Sequence, residues 1–130
     1  MTTKDILVID DDRDLTNAVK AYFEARGYAV RTAHSGAEGM DEIQQSRPDL
    51  ILLDIMMEND ADGFNLAYKL KNDKTFWDIP IVILSGWTDH LKEKSSSFEF
   101  VMGRDWPAVE EIKKPASLAH IGEVVERVLA

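Results

Sequence analysis

Four stretches of the chain place an Asp, Ser or Lys directly after a short run of β-type residues. Ile6–Ile9 runs into Asp10-Asp11-Asp12, and Leu50–Leu53 runs into Asp54. Ile81–Leu84 runs into Ser85, and Val109–Lys113 leads to Lys114-Pro115. Continuous apolar runs of this kind predict strands buried on both faces, as in a parallel sheet covered by helices. Tyr28–Ala33 predicts one more short strand.

The intervening segments carry helical spacing. Asp14–Arg26 has Leu15, Ala18, Val19, Tyr22 and Phe23 on one face, and Gly27 follows as a stop. Ser35 can cap a helix running to Ser46, with Ala37, Met40 and Ile43 inward. Phe64–Lys71 predicts a short helix with Phe64, Ala67 and Leu70 inside. Ser117–Leu129 predicts a last helix burying Leu118, Ile121, Val124, Val125 and Val128. A further helix is expected between Ser85 and Lys114, around Trp87, Leu91, Phe98, Val101 and Met102, although Ser95-Ser96-Ser97 interrupts it. Alternating strands and helices make an α/β fold with five parallel strands and five helices.

In open parallel sheets, ligands bind outside the carboxyl ends of the strands. The polar residues that end these strands would therefore share one rim. Two carboxylates about 4 Å apart repel by roughly 4 kcal/mol at an effective dielectric of 20, so Asp10, Asp11 and Asp54 together call for a cation. An all-oxygen site with open positions for a phosphate suits Mg²⁺. Lys114 supplies a second positive charge, and the Ser85 hydroxyl can donate to another oxygen. Asp54 is the natural nucleophile, because carboxylates form acyl-phosphates.

Composition narrows the picture. The 130 residues fit one domain, and without Cys there is neither a disulfide nor a thiolate metal site. With 24 acidic against 15 basic residues the net charge is −9, which argues against a nucleic-acid partner. No segment approaches the roughly 18 consecutive apolar residues of a membrane span. The first five residues lack the features of a signal peptide, so a cytoplasmic location is expected. Asp12 and Asp14 read as N-terminal capping residues of the first helix. His34, His90 and His120 share no metal-ligand spacing and receive no role.

Taken in order, Ile6–Asp11, Asp54 at a strand end, Ile83-Leu84-Ser85-Gly86 and Lys114-Pro115 resemble the receiver domain of two-component response regulators. The resemblance implies a flavodoxin-like fold with strand order 2-1-3-4-5, forming a single receiver domain over residues 1–130 with no output domain. It implies that Asp54 is the phosphoacceptor, Asp11 a direct Mg²⁺ ligand and Asp10 a ligand through water. Asp54 and the Met56 backbone carbonyl would complete the protein's metal ligands. Ser85 would be the switch hydroxyl, and Lys114, before a Pro whose peptide bond is usually cis, would contact the phosphoryl group. The implied activity is a phosphorylation-dependent switch, not an enzyme. A histidine kinase or histidine phosphotransfer protein would donate the phosphoryl group. The face formed by strand four, the helix expected between Ser85 and Lys114, and strand five would carry the signal to a downstream protein, or to a second copy of the chain.

Four departures from the family pattern matter. The loop after Asp54 lacks the usual Pro, and Gly63 comes one residue late. The segment between Ser85 and Lys114 is several residues longer than usual and carries Trp87, Phe100 and Trp106. The aromatic residue common three positions before the Lys is Glu111 here, so activation is expected to shift the loop after strand four and the helix expected between Ser85 and Lys114 instead of rotating a ring. Met56 and Trp87 replace polar rim residues, and bulky apolar neighbours would obstruct an attacking water and slow autodephosphorylation. Two alternatives remain open: a pseudo-receiver acting as a constitutive interaction module, and a Mg²⁺-dependent phosphohydrolase of the haloacid dehalogenase type, for which Asp10 and Asp12 have the required spacing.

Overall fold

The computed structural model describes residues 3–55, 62–85 and 110–130, with Asp62, Phe64 and Ser85 placed by their backbone. In chain order the elements are β1 (Asp5–Ile9), α1 (Arg13–Glu24), β2 (Ala29–Ala33), α2 (Gly36–Gln45) and β3 (Leu50–Asp54). They continue with α3 (Asp62–Lys71), β4 (Ile81–Ser85), β5 (Glu110–Lys113) and α4 (Leu118–Leu129). All five strands lie parallel in one sheet, ordered β2-β1-β3-β4-β5, as the resemblance implied. Four helices stand among the described residues; the helix expected between Ser85 and Lys114 falls on residues 86–109, outside them. No described helix is long and apolar enough to cross a membrane.

Alternation along each strand divides the apolar residues between two cores. Leu7, Ile9, Ile51, Leu53, Ile81 and Ile83 face α2 and α3. Ile6, Val8, Leu50, Leu52, Val82 and Leu84 face α1 and α4, whose Val19, Phe23, Ile121, Val124 and Val125 complete that layer. Apart from Asp5 at the start of β1 and Asp54 and Ser85 at the ends of β3 and β4, these central strands are apolar throughout, because both faces are covered. β5, at the sheet edge, buries Ile112 alone among its four residues.

Helix ends follow local chemistry. Asp12 caps α1, its side chain accepting from the Leu15 N–H, as expected. Asp14 lies in the first turn, where its charge suits the helix dipole. Ser35 caps α2 and Ser117 caps α4 in the same manner. Gly27 takes φ +91, the left-handed conformation that ends α1.

Two residues assigned to the core are exposed instead. Ala18 faces solvent on α1, while Thr16 is buried with its hydroxyl donating to the Arg13 carbonyl. On α2, Ala37 is exposed and Gly36 and Gly39 face the sheet. The helix sits close to β1 there, since a Cβ on Gly39 would lie 2.5 Å from Ile9 Cδ1 and would have to displace that side chain.

Candidate functional site

The pairing of Ile9 with Leu53 brings the residues that follow them, Asp10 and Asp54, side by side at one end of the sheet. Asp10 is fully buried and Asp54 is 3% exposed, while Asp11 lies at the surface. One carboxylate oxygen from each of the three lies within 4.8 Å of the others, so the cluster expected from the sequence forms. Lys114, directly after β5, reaches across the rim. Its Nζ is 2.6 Å from Asp10 Oδ2 and 3.5 Å from Asp54 Oδ2. The Lys114–Pro115 peptide is cis, as the resemblance implied.

Asp10 is held at both oxygens: Oδ2 accepts from Lys114, and Oδ1 accepts from the Asp12 backbone N–H at 2.9 Å. Its own N–H donates to the Ala33 carbonyl, which fixes it against the end of β2. Burial pushes the Lys114 ammonium down, but the Asp10 hydrogen bond and the charges of Asp54 and Asp10 outweigh it. Lys114 is thereby held above the ordinary lysine value and stays charged. Three carboxylates against one ammonium leave the rim with excess negative charge. Together with an all-oxygen donor set, this fits a hard divalent cation such as Mg²⁺, with Asp10, Asp11 and Asp54 as its candidate holders.

Ser85 is the last residue of β4 and pairs with Lys113, which puts its backbone at this end of the sheet. The role expected of its hydroxyl concerns a side chain outside the described set. Met56 and its carbonyl and Trp87 also lie outside the described residues. Glu111 is exposed on β5, paired with Ile83, so no ring occupies that position.

Two features of the site escaped the sequence reading. His34, given no role, follows the end of β2 and lies 3.3 Å through Nε2 from the buried Thr16 hydroxyl of α1. Its backbone N–H donates to the Glu38 carboxylate of α2, so it ties together the first turns of two helices flanking the acidic rim. The strand-end rule that singled out Asp10, Asp54, Ser85 and Lys114 would have found it, had it been applied to β2. The second is the contact that Gly63 makes, since the sequence showed only its late position after Asp54. The glycine lies against backbone, and a Cβ there would sit 2.5 Å from the Asp54 carbonyl oxygen.

A family model described as "Response regulator receiver domain" matches residues 6–126. Response regulator MprA of Mycobacterium avium is 34% identical over 116 residues, covering 89% of this chain and 46% of the relative. The chain thus spans about half the length of the curated relatives it matches. Among solved structures, the receiver domain of a signal transduction histidine kinase from Syntrophus aciditrophicus superposes with a TM-score of 0.82 at 28% identity, covering 98% of this chain and 90% of that one. A CheY-like response regulator receiver domain protein from Methanospirillum hungatei gives 0.80 at 26%, covering 98% of this chain and 94% of that one.

Proposed function

The chain belongs to the response regulator receiver family, and from that membership we propose that it is a phosphorylation-dependent switch whose phosphoacceptor is Asp54. The observation that carries this reading is the juxtaposition of Asp10, Asp11 and Asp54 within 4.8 Å, with Lys114 reaching across them. In the reaction, an Asp54 carboxylate oxygen attacks phosphorus. The new O–P bond forms as the donor's P–N bond, in a phosphohistidine, or its P–O bond, in a small acyl phosphate, breaks. Mg²⁺ held by Asp10, Asp11, Asp54 and the Met56 carbonyl would offset the carboxylate charge and that of the phosphoryl oxygens in transfer. Lys114 stands 3.5 Å from Asp54 and needs only a short excursion from Asp10 to pair with the phosphoryl group. Ser85 would donate its hydroxyl to a second phosphoryl oxygen.

The donor would be a histidine kinase or a histidine phosphotransfer protein. The response would pass through β4, β5 and the segment between them to a downstream protein or a second copy of the chain. The altered rim at Met56 and Trp87 would slow hydrolysis of the acyl-phosphate, and Met56→Asn with Trp87→Glu should shorten its lifetime.

The phosphohydrolase alternative would use Asp10 as nucleophile and Asp12 as its partner. Against it, both Asp10 oxygens are engaged and the Asp12 side chain caps α1. Intact-mass measurement after incubation with acetyl phosphate and Mg²⁺ tests the proposal. One phosphoryl group should appear on the wild-type chain and none on Asp54→Asn; labelling of Asp54→Asn at the wild-type rate would sink it.

A further inference from the structure

We infer that Gly63 is a positioning residue for phosphoryl transfer, because α3 rests on the peptide unit that carries Asp54 and leaves no room there for a side chain. A Cβ on Gly63 would lie 2.5 Å from the Asp54 carbonyl oxygen, 2.6 Å from Ile55 Cα and 3.2 Å from the Ile55 carbonyl carbon. All three are backbone atoms, which no rotamer change can clear. Gly39 and Gly122 differ: their closest neighbours are the side chains of Ile9 and Tyr22, which can give way. Gly63 does not have a positive φ, so the requirement is close approach and not backbone conformation.

The contact has consequences on both sides of the peptide. Asp54 is bounded by Lys114 at 3.5 Å and by the Asp10 and Asp11 carboxylates within 4.8 Å, while Ile55 donates its N–H to the Leu84 carbonyl of β4 at 3.3 Å. A side chain at residue 63 must therefore push the Asp54–Ile55 peptide away from α3, or lift the first turn of α3. The first movement shifts the carboxylate relative to its three charged neighbours, and the second removes the backing of the peptide that carries it. Misplacement of a reacting group by about 1 Å can slow a reaction on the order of 100-fold.

This inference rests on Asp54 being the phosphoacceptor, and the experiment separates the two. Labelling by acetyl phosphate with Mg²⁺ is followed by intact mass for wild type, Gly63→Ala and Gly122→Ala, each scaled to its folded fraction. Gly63→Ala should lower the maximal labelling rate by about 100-fold with little change in the acetyl phosphate KM. Its Asp54 and Ile55 amide resonances should be displaced before any phosphodonor is added. Gly122→Ala, clashing with the Tyr22 ring away from the rim, should label at the wild-type rate. Wild-type labelling rates and unmoved Asp54 and Ile55 resonances in Gly63→Ala would overturn the positioning role alone. Failure of the wild-type chain to label would overturn the phosphoacceptor reading and this inference with it. Should Gly63→Ala not fold, the wild-type chain supplies the measurement. Adding beryllofluoride, a phosphoryl mimic, with Mg²⁺ should move the Gly63 and Ile55 amide resonances together, and a stationary Gly63 resonance would overturn the role.

Discussion

Lys114 stands between two carboxylates at unequal distances, 2.6 Å from the fully buried Asp10 and 3.5 Å from Asp54. Removing the ammonium leaves a desolvated carboxylate without its counter-charge, and that penalty outweighs the net worth of the pair. Lys114 is itself 25% exposed, which moderates the loss. Lys114→Met should therefore destabilise the chain by about 1–3 kcal/mol in urea unfolding, with Asp10→Asn restoring part of it in the double variant. The same pair sets a pH dependence. Because the folded protein holds Lys114 above its ordinary value, its contribution is fully present below the unfolded lysine pKa of about 10.4 and fades as pH rises through the folded value. Unfolding free energies of wild type and Lys114→Met should differ by a constant amount up to about pH 10.4 and converge only above it. The sequence pointed to Lys114 by its place after a strand, but it could not show which carboxylate the ammonium chooses. That choice depends on how deeply Asp10 is buried.

At the scale of single elements, capping was legible and tertiary capping was not. Asp12, Ser35 and Ser117 each accept from an N–H three residues on, a local bond that sequence spacing reveals. The C-terminal end of α2 has no basic residue in its own last turn. Arg31 of β2 supplies one, donating to the Glu42 carbonyl at 2.6 Å and the Ser46 carbonyl at 2.7 Å while pairing with Asp5. Arg31→Met should lower stability by about 1–3 kcal/mol, more than Asp12→Ala, for which about 1 kcal/mol is expected. Thermal or urea unfolding of the two variants checks the order. Helical periodicity picked out Val19, Phe23 and Ile43 correctly because burial follows the stripe, and misplaced Ala18 and Ala37 because alanine is equally at home in water. No periodicity marks a glycine as buried, yet Gly39 lies where α2 touches β1.

For the whole molecule, the acidic rim sets a linkage between cation binding and folding. A cation that binds only the folded cluster stabilises it by about 2.7 kcal/mol at a hundred times its dissociation constant. Mg²⁺ should therefore raise the melting temperature of the wild-type chain, and Asp11→Asn should remove most of that response while leaving the cation-free protein folded. A rise as large in Asp11→Asn would count against this placement of the cation. By itself the sequence determined the strand and helix alternation, the two-faced burial of the central strands and the residues that end them, since periodicity and strand-end chemistry are local properties of the chain. The order 2-1-3-4-5 came from likeness to a family, because nothing within a single strand names its neighbours. Only the tertiary structure decided that Asp10 engages Lys114, that His34 joins α1 to α2 across Thr16, and that Gly63 seats α3 on the Asp54 peptide. Each of these joins residues far apart in the chain, and their distances follow from how closely layers pack, a quantity no stretch of sequence carries alone.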